Sequence, residues 1–376
     1  MFSAVLQGTN RLRLCATSCW LLADARCYEV RFGMTTPSPT GTNLRVLLAN
    51  RPKAEPRVED FELLEAPIPD PRNNEVLVRT IYLSIDPYMR GRIRATKSYA
   101  APVAIGEVMV GGIVGEVVES KSERFKVGDI VESRLGWQQY GIAQPDDLRM
   151  VYPELAPITT ALGILGMPGQ TAYFGLLDVG RPRPDETVLV SAASGAVGGV
   201  VGQIARLKGC RAIGIVGSAA KREYALSELG YEAVIDRTID DVGAELSATC
   251  PDGVDVYFDN VGGHILDLVL DHINLHARIA ICGMISEYNL PTPELAVRPT
   301  RTLLTRRARM QGLLVSDYAD RADEALQQLG GWVRSGALKY REDVIEGLEH
   351  APAALIRVLR GENFGKQLVK VGADPT

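Results

Sequence analysis

The stretch Thr187-Val-Leu-Val-Ser-Ala-Ala-Ser-Gly-Ala-Val-Gly-Gly199 decides the fold of this 376-residue chain. Its first half is a short apolar run rich in β-branched residues, as in a strand covered on both faces. Its second half is a Gly-rich turn opening a helix over about residues 196–208. Aligned with G-x-G-x-x-G, it has Ala193 at the first glycine and Gly195 and Gly198 at the others. Gly195 lets the backbone approach a pyrophosphate, and Gly198 lets the helix sit close on the sheet. The helix N-terminus, with Ala196 and Val197 in it, offers free N–H groups and a partial positive charge to phosphates.

The next strand, over about 211–217, ends in Val216-Gly-Ser-Ala-Ala-Lys-Arg222. An NAD site places Asp or Glu there for the ribose hydroxyls. This chain has none. Ser218, Lys221 and Arg222, with Arg237 just past the third strand, suit the 2′-phosphate of NADP instead. A solvated helix start would carry the same charges.

Downstream, strand patterns at 233–236, 254–259, 277–283 and 310–315 alternate with helical ones. That alternation predicts βαβ units, hence an α/β fold with a doubly wound, parallel Rossmann sheet. A further helix is expected over 320–335. Upstream the rhythm differs. Short strands at 75–85, 112–120 and 127–133, punctuated by turn residues, predict an all-β barrel or sandwich. The final segment 364–371 reads as a strand, and a strand at the far end of the chain needs an existing sheet to pair with. The expected division is an extension over 1–43, a β domain over 44–157, the dinucleotide-binding domain over 158–315, and a C-terminal segment over 316–376 that returns to the β domain. Met34, followed by a Thr- and Pro-rich stretch, reads as the true start.

Composition narrows the function classes. Hydrophobic residues make up 46% and charged residues 23%, enough to build a core and too apolar for a disordered chain. A net charge of −5 with a pI near 5.6 argues against a nucleic-acid binder. No apolar run is long enough for a membrane helix. The six cysteines form no C-x-x-C pair, and a disulfide scaffold is implausible at this size, so a reduced, cytoplasmic protein is expected. Between Met34 and Gly209 there is neither Cys nor His, which leaves zinc no favoured ligand there. His272 and His276, spaced i, i+4, read as polar positions near a helix end.

Five longer motifs occur in order: Asp86-Pro-Tyr-Met-Arg90, Leu162-Gly-Ile-Leu-Gly-Met-Pro-Gly-Gln-Thr-Ala-Tyr-Phe-Gly-Leu176, Phe258-Asp-Asn-Val-Gly-Gly263, Ile281-Cys-Gly-Met-Ile-Ser-Glu-Tyr-Asn289 and Gly361-Glu-Asn-Phe-Gly-Lys366. Over roughly residues 44–371 the chain resembles the zinc-free medium-chain dehydrogenase/reductases, in the prostaglandin reductase and alkenal double-bond reductase branch. The resemblance implies a GroES-like β domain beside a Rossmann domain, with NADPH in the cleft between them. It implies hydride transfer from NADPH to the β-carbon of an α,β-unsaturated ketone or aldehyde, without metal. A quinone reductase of the same superfamily is the alternative, and a non-catalytic NADPH-binding protein the remote one.

The resemblance also suggests roles. Lys221 matches the lysine on the 2′-phosphate, and Arg237 stands near where many members carry a tyrosine. Asn260, Cys282 and Asn363 fall at cofactor positions. Tyr288 matches the tyrosine by the nicotinamide ribose and substrate carbonyl, and Tyr88 one on the substrate side. Met167 and Pro168 are expected to shape a helix start, and Asp86 to cap a turn. The loop 289–305 should border the substrate pocket. Its Arg298 and Arg301, with Arg306, Arg307 and Arg309 beyond, would attract a carboxylate-bearing substrate or form a solvated face. The sixth strand, 310–315, should lie at the sheet edge, and an exposed apolar edge invites a homodimer.

Overall fold

The computed structural model describes residues 41–375 except 97, 293 and 296–298. The extension before residue 41, Met34 and Arg298 lie outside the described residues. Six strands, Thr187–Ser191, Arg211–Val216, Ala233–Asp236, Val254–Asp259, Ile273–Ile281 and Arg309–Gly312, form one parallel sheet. Their spatial order is third, second, first, fourth, fifth, sixth. Val188, Leu189 and Val190 are fully buried because helices cover both faces of the sheet. The helices Met167–Phe174 and Gly198–Leu207 supply Phe174, Val201 and Ile204 to one face. Leu246, Val269 and Leu270 cover the other. The order reverses between the first and fourth strands, so their carboxyl ends frame the ligand crevice.

The Gly-rich turn is as tight as the motif requires. A Cβ on Gly198 would stand 2.3 Å from the Ala192 carbonyl oxygen. One on Gly202 would stand 2.1 Å from the Tyr231 ring, whose buried hydroxyl donates 2.7 Å to the Gly198 carbonyl. The helix therefore sits directly on the strands. Ala192 itself takes a φ of 51°, a left-handed conformation that costs an L-residue about 1–2 kcal/mol. The Gly195 amide helps to hold it, donating 2.9 Å to the Ala192 carbonyl.

The β-rich half forms a seven-stranded mixed sheet. Val76–Ser84 is its centre, pairing antiparallel with Ile113–Ser120, Tyr140–Ala143 and the C-terminal Lys366–Lys370. Glu342–Glu346 pairs parallel with that last strand. Thr42–Leu48 and Phe61–Pro67 pair separately, and Phe61 stacks on the fully buried Trp137 at 5.6 Å.

The segment expected to return as a whole from residue 316 divides. Its helix Ala322–Arg334 places Ala325 and Leu329 in the parallel-sheet core, and Tyr173 donates 3.0 Å to Glu324. Its amphipathic face finds the nearest apolar surface, the helix Met167–Phe174, and only the strands from Glu342 onward join the mixed sheet. The sixth parallel strand begins at Arg309 rather than Met310 and ends at Gly312; it lies at the sheet edge.

Candidate cofactor and active site

Asp259 ends the fourth strand, fully buried, and organises the crevice. Its Oδ1 accepts from Ser191 Oγ at 3.0 Å, from the Tyr257 hydroxyl at 2.8 Å, and from the amides of Val261 and Gly262 at 3.0 Å each. Asn260 returns the tie, its amide donating 2.8 Å to Ser191 Oγ and its Nδ2 donating 2.7 Å to the Ser191 carbonyl. The loops after the first and fourth strands are thus locked together, which places Asn260 beside the dinucleotide turn. The loop after the fifth strand is attached in the same way. The Cys282 amide donates to the Asp259 carbonyl at 2.8 Å, that of Ile285 to Asn260 at 3.3 Å, and that of Ser286 to Val261 at 3.1 Å. Burial, with Asp259 nearby, pushes the Cys282 thiol up to about 12, so it stays protonated.

Tyr288 closes that loop. Its hydroxyl accepts the Met284 amide at 3.3 Å, and an added Cβ on Gly283 would lie 3.3 Å from it. Burial raises its pKa above the ordinary 10.0. The hydroxyl is neutral and already accepts one bond, which leaves its own proton to donate.

The mixed sheet presents Tyr88 to the same region: Tyr88 and Tyr288 both pack against one core cluster. Burial, then the Asp86 carboxylate, raises the Tyr88 hydroxyl pKa. The loop behind Tyr288 is gripped from the Tyr88 side. Arg90, with no exposed surface, donates 3.1 Å from Nε to Asn289 Oδ1 and from Nη2 to the Ala54 carbonyl, and Arg94 donates to the Leu290 carbonyl. Burial, then Arg94, lowers the Arg90 pKa to about 10. The motifs holding Tyr88 and Tyr288 are therefore bound to each other. Asp86 does more than cap a turn. It accepts from Ser84 and forms a buried ion pair with Lys366 at 2.9 Å. Lys366 Nζ also donates 2.8 Å to the Ile85 carbonyl.

At the other end of the crevice, Ser218 caps its helix by accepting the Lys221 amide at 3.3 Å. Lys221 Nζ donates 2.6 Å to the Gly361 carbonyl, and Arg237 lies over Gly217, where an added Cβ would be 3.3 Å from Nη2. Burial, then Arg237, lowers the Lys221 pKa. Two cations that disfavour each other at a partly buried position are what an anion would relieve. Arg222 is neutralised by Asp240 at 3.2 Å. Asn363 donates 2.8 Å to the Gly365 carbonyl, and the adjacent Phe364 meets Tyr224 edge-on at 5.1 Å. A cleft lined by Gly195, Ala196, Arg341 and Lys366 separates the dinucleotide turn from the C-terminal segment. The close-approach glycines, the helix start and the cation pair fit a phosphorylated dinucleotide.

Two groups of basic residues lie away from this crevice. Arg307 and Arg309 do not border this crevice. They line a depression with His276 and Arg278, which precede the carboxyl end of their strand, at the opposite end of the sheet. Of the two histidines expected near a helix end, His272 lies there and His276 does not. His272 follows Gly263–Leu270, and His276 sits within the next strand at a φ of 64°. Lys366 and Arg90 went unnoticed as individuals although their motifs were legible. Tyr99 carried no motif; it bears electrostatically on both Tyr88 and Tyr288.

Comparison with known proteins identifies the family. A family model described as "N-terminal domain of oxidoreductase" matches residues 45–151, and one described as "Zinc-binding dehydrogenase" matches 196–330. Among the described residues no group of three His, Cys, Asp or Glu side chains is arranged to hold a metal ion. The chain is 44% identical to the NADPH-dependent curcumin reductase of Escherichia coli, over 88% of this chain and 98% of that protein. It is 41% identical to the NADP(+)-dependent 2-alkenal reductase of Nicotiana tabacum, over 89% and 98%. The crystal structure of CurA from Vibrio vulnificus in complex with NADPH superposes with a TM-score of 0.85 at 44% identity, covering 88% of this chain and all of that one. The chain belongs to the zinc-free medium-chain dehydrogenase/reductases, in the branch of the prostaglandin and alkenal reductases.

Proposed function

We propose that this protein reduces the C=C bond of α,β-unsaturated ketones or aldehydes with NADPH. The observation that carries the reading is the Tyr288 hydroxyl, neutral, half-satisfied and held at the carboxyl end of the sheet beside Asn260. Bound NADPH supplies the hydride that goes to Cβ, with its two electrons. The chain's residues bind, orient and stabilise. The turn around Gly195 and Gly198, with Ala196 and Val197, holds the pyrophosphate. Lys221 and Arg237 hold the 2′-phosphate. Asn260, Cys282 and Asn363 flank the cofactor, and Tyr88 bounds the substrate side. Tyr288 donates a hydrogen bond to the carbonyl oxygen as it becomes an enolate, a donor role that grows with the developing charge. A tyrosine with a raised pKa is a poor acid, so water returns the proton to Cα. NADPH oxidation with simple enones and enals tests the reading. Turnover with quinones alone would favour the quinone reductase, and no turnover at all would leave only a binding protein.

The cation pair makes a separate prediction. Lys221→Ala is expected to raise KM for NADPH by roughly ten- to hundred-fold, the equivalent of about 1.5–3 kcal/mol for a charge-assisted hydrogen bond. KM for NADH should hardly move. An unchanged NADPH/NADH ratio would transfer the role to Arg237.

The same reading includes a homodimer in a cytoplasmic setting. Among the described residues, Arg309–Gly312 leaves one edge of the parallel sheet without a neighbour. Pairing two such edges about a two-fold axis would close both. Light scattering at micromolar concentration should give twice the chain mass, and a monomer would remove this part of the proposal. Cys210, Cys250 and Cys282 are all free thiols, in keeping with a reducing compartment. Among the described residues no helix is long and apolar enough to cross a membrane.

A further inference from the structure

A chain with a net charge of −5 concentrates Arg181, Arg183, His276, Arg278, Arg307 and Arg309 around one open depression of about 290 Å³. It lies at the amino end of the fifth and sixth parallel strands, where Arg278 and Arg309 are paired in register. The crevice with Ser191, Asp259 and Tyr288 is at the carboxyl end, so the depression plays no part in the reaction described above.

Charge compensation within the chain is small. Glu186 takes Arg278, at 3.0 Å from Nη1, while the same guanidinium donates 2.8 Å to the Gly180 carbonyl and 2.7 Å to that of Arg181. Arg309 donates 2.7 Å to the Val179 carbonyl, and Arg181 2.8 Å to that of Asp178. The Asp178 carboxylate is occupied by Arg321. Glu186 also accepts the Arg183 amide at 2.8 Å and is shared electrostatically between Arg278 and Arg183, and among the described residues Arg307 has no ion-pair partner. Asp185, exposed on the same turn, is a further acid close by, and Asp255 acts on the same neighbourhood.

The backbone adds a second, independent observation. Arg181, His276 and Arg307 take φ values of 47°, 64° and 50°. Arg181 and Arg307 end helical segments, positions where glycine is the usual and least strained choice. His276 lies where the register between the fourth and fifth strands slips. Three separate segments thus hold strained backbone while directing basic side chains at one depression. Strain kept at several converging positions marks function more than packing.

We propose that this depression binds an oligophosphate anion, a chain of two or three linked phosphates. Guanidinium groups meet phosphate oxygens in pairs of parallel hydrogen bonds, and their charge is permanent. A monoanion would leave most of these cations uncompensated, whereas linked phosphates carry several charges over a length that spans neighbouring arginines. The depression is too small and the rest of the chain too acidic for a nucleic-acid track.

The test uses the full chain saturated with NADPH, so that the dinucleotide's own phosphate sites are filled. Sodium tripolyphosphate is titrated in by calorimetry at low ionic strength. Saturable binding of one anion per chain is expected. Arg183→Ser with Arg307→Ser should weaken it by roughly tenfold or more, since each lost contact is a charge-assisted bond. NADPH affinity and enone turnover should stay unchanged. No saturable binding overturns the proposal, and so does binding that survives the double variant. Arg309 also belongs to the sheet edge proposed to pair in a dimer, and that edge supplies the remaining outcome. If the wild type ignores tripolyphosphate while Arg307→Glu dissociates a dimer in light scattering, the cations serve carboxylates of a second copy and the anion site does not exist.

Discussion

Tyr288→Phe is expected to lower kcat by about 10²–10³, or about 2.7–4 kcal/mol, the usual cost of removing one oxyanion donor. The substitution keeps the ring, so its packing against the core cluster shared with Tyr88 should survive. What it removes is one hydroxyl that accepts the Met284 amide and holds a free proton. The Met284 amide then loses its acceptor, but the loop keeps its bonds from Cys282, Ile285 and Ser286 to the neighbouring loop. NADPH affinity should therefore change by a few-fold at most. The pH dependence has a definite sign. Burial raises the Tyr288 pKa above 10.0, so the donor form is complete throughout the neutral range and is lost only on the alkaline side of 10.0. Wild-type kcat should show no acidic limb from this residue. Steady-state kinetics and a direct NADPH titration separate the outcomes. If NADPH binding collapses, Tyr288 is first a ligand of the cofactor ribose. If kcat is untouched, the enolate is stabilised by another donor.

The parallel sheet was legible because its signal is local. Each strand is an apolar run bounded by turn residues, and the Gly-rich turn has a steric reason at Gly198 that survives into three dimensions. The edge position of the sixth strand followed from the same order. The C-terminal segment was harder. The fate of the helix Ala322–Arg334 depends on which apolar surface lies nearest, and periodicity carries no such information. The helix Gly263–Leu270 follows the expected alternation of strand and helix, and Gly262 and Gly263, both at positive φ, turn the chain into it. At the site, Tyr288, Asn260 and Lys221 were found through motifs, that is, through position along the chain. Arg90 and Lys366 sit in equally plain motifs, yet their partners Asn289 and Asp86 are 199 and 280 residues away. A charge run shows nothing about which strand end it will occupy, so the arginines at 307 and 309 stayed open between a substrate-attracting run and a solvated face, and they line the opposite end of the sheet.

Breaking the Asp86–Lys366 pair is the other change with a large expected effect. Both side chains are almost fully buried, at 7% and 4% exposure, and stand 2.9 Å apart. Lys366→Met leaves the Asp86 carboxylate in the interior with the Ser84 hydroxyl, and Asp86→Leu leaves the ammonium with the Ile85 carbonyl and the electrostatic influence of Glu342 alone. Stranding one partner of a buried pair typically costs about 3–5 kcal/mol. Replacing both partners with apolar groups of similar size is often close to neutral, because neither desolvated charge remains. The double variant Asp86→Leu with Lys366→Met should therefore be more stable than either single one, and chemical denaturation of the four proteins completes the cycle. The position of the pair adds a second readout. Lys366 opens the C-terminal strand that pairs with Val76–Ser84, and Asp86 lies two residues before Tyr88. Either single variant should thus expose the C-terminal strand to limited proteolysis before the parallel sheet is cut. Activity in the stable double variant then separates structure from chemistry. If the pair only fastens the strand, restoring stability restores kcat. If kcat stays low while the fold is sound, the charges also set how Tyr88 meets the substrate. Single variants that cost less than about 1 kcal/mol, the range of an exposed ion pair, would show that water reaches these groups in solution and that the strand is held by its ladder alone.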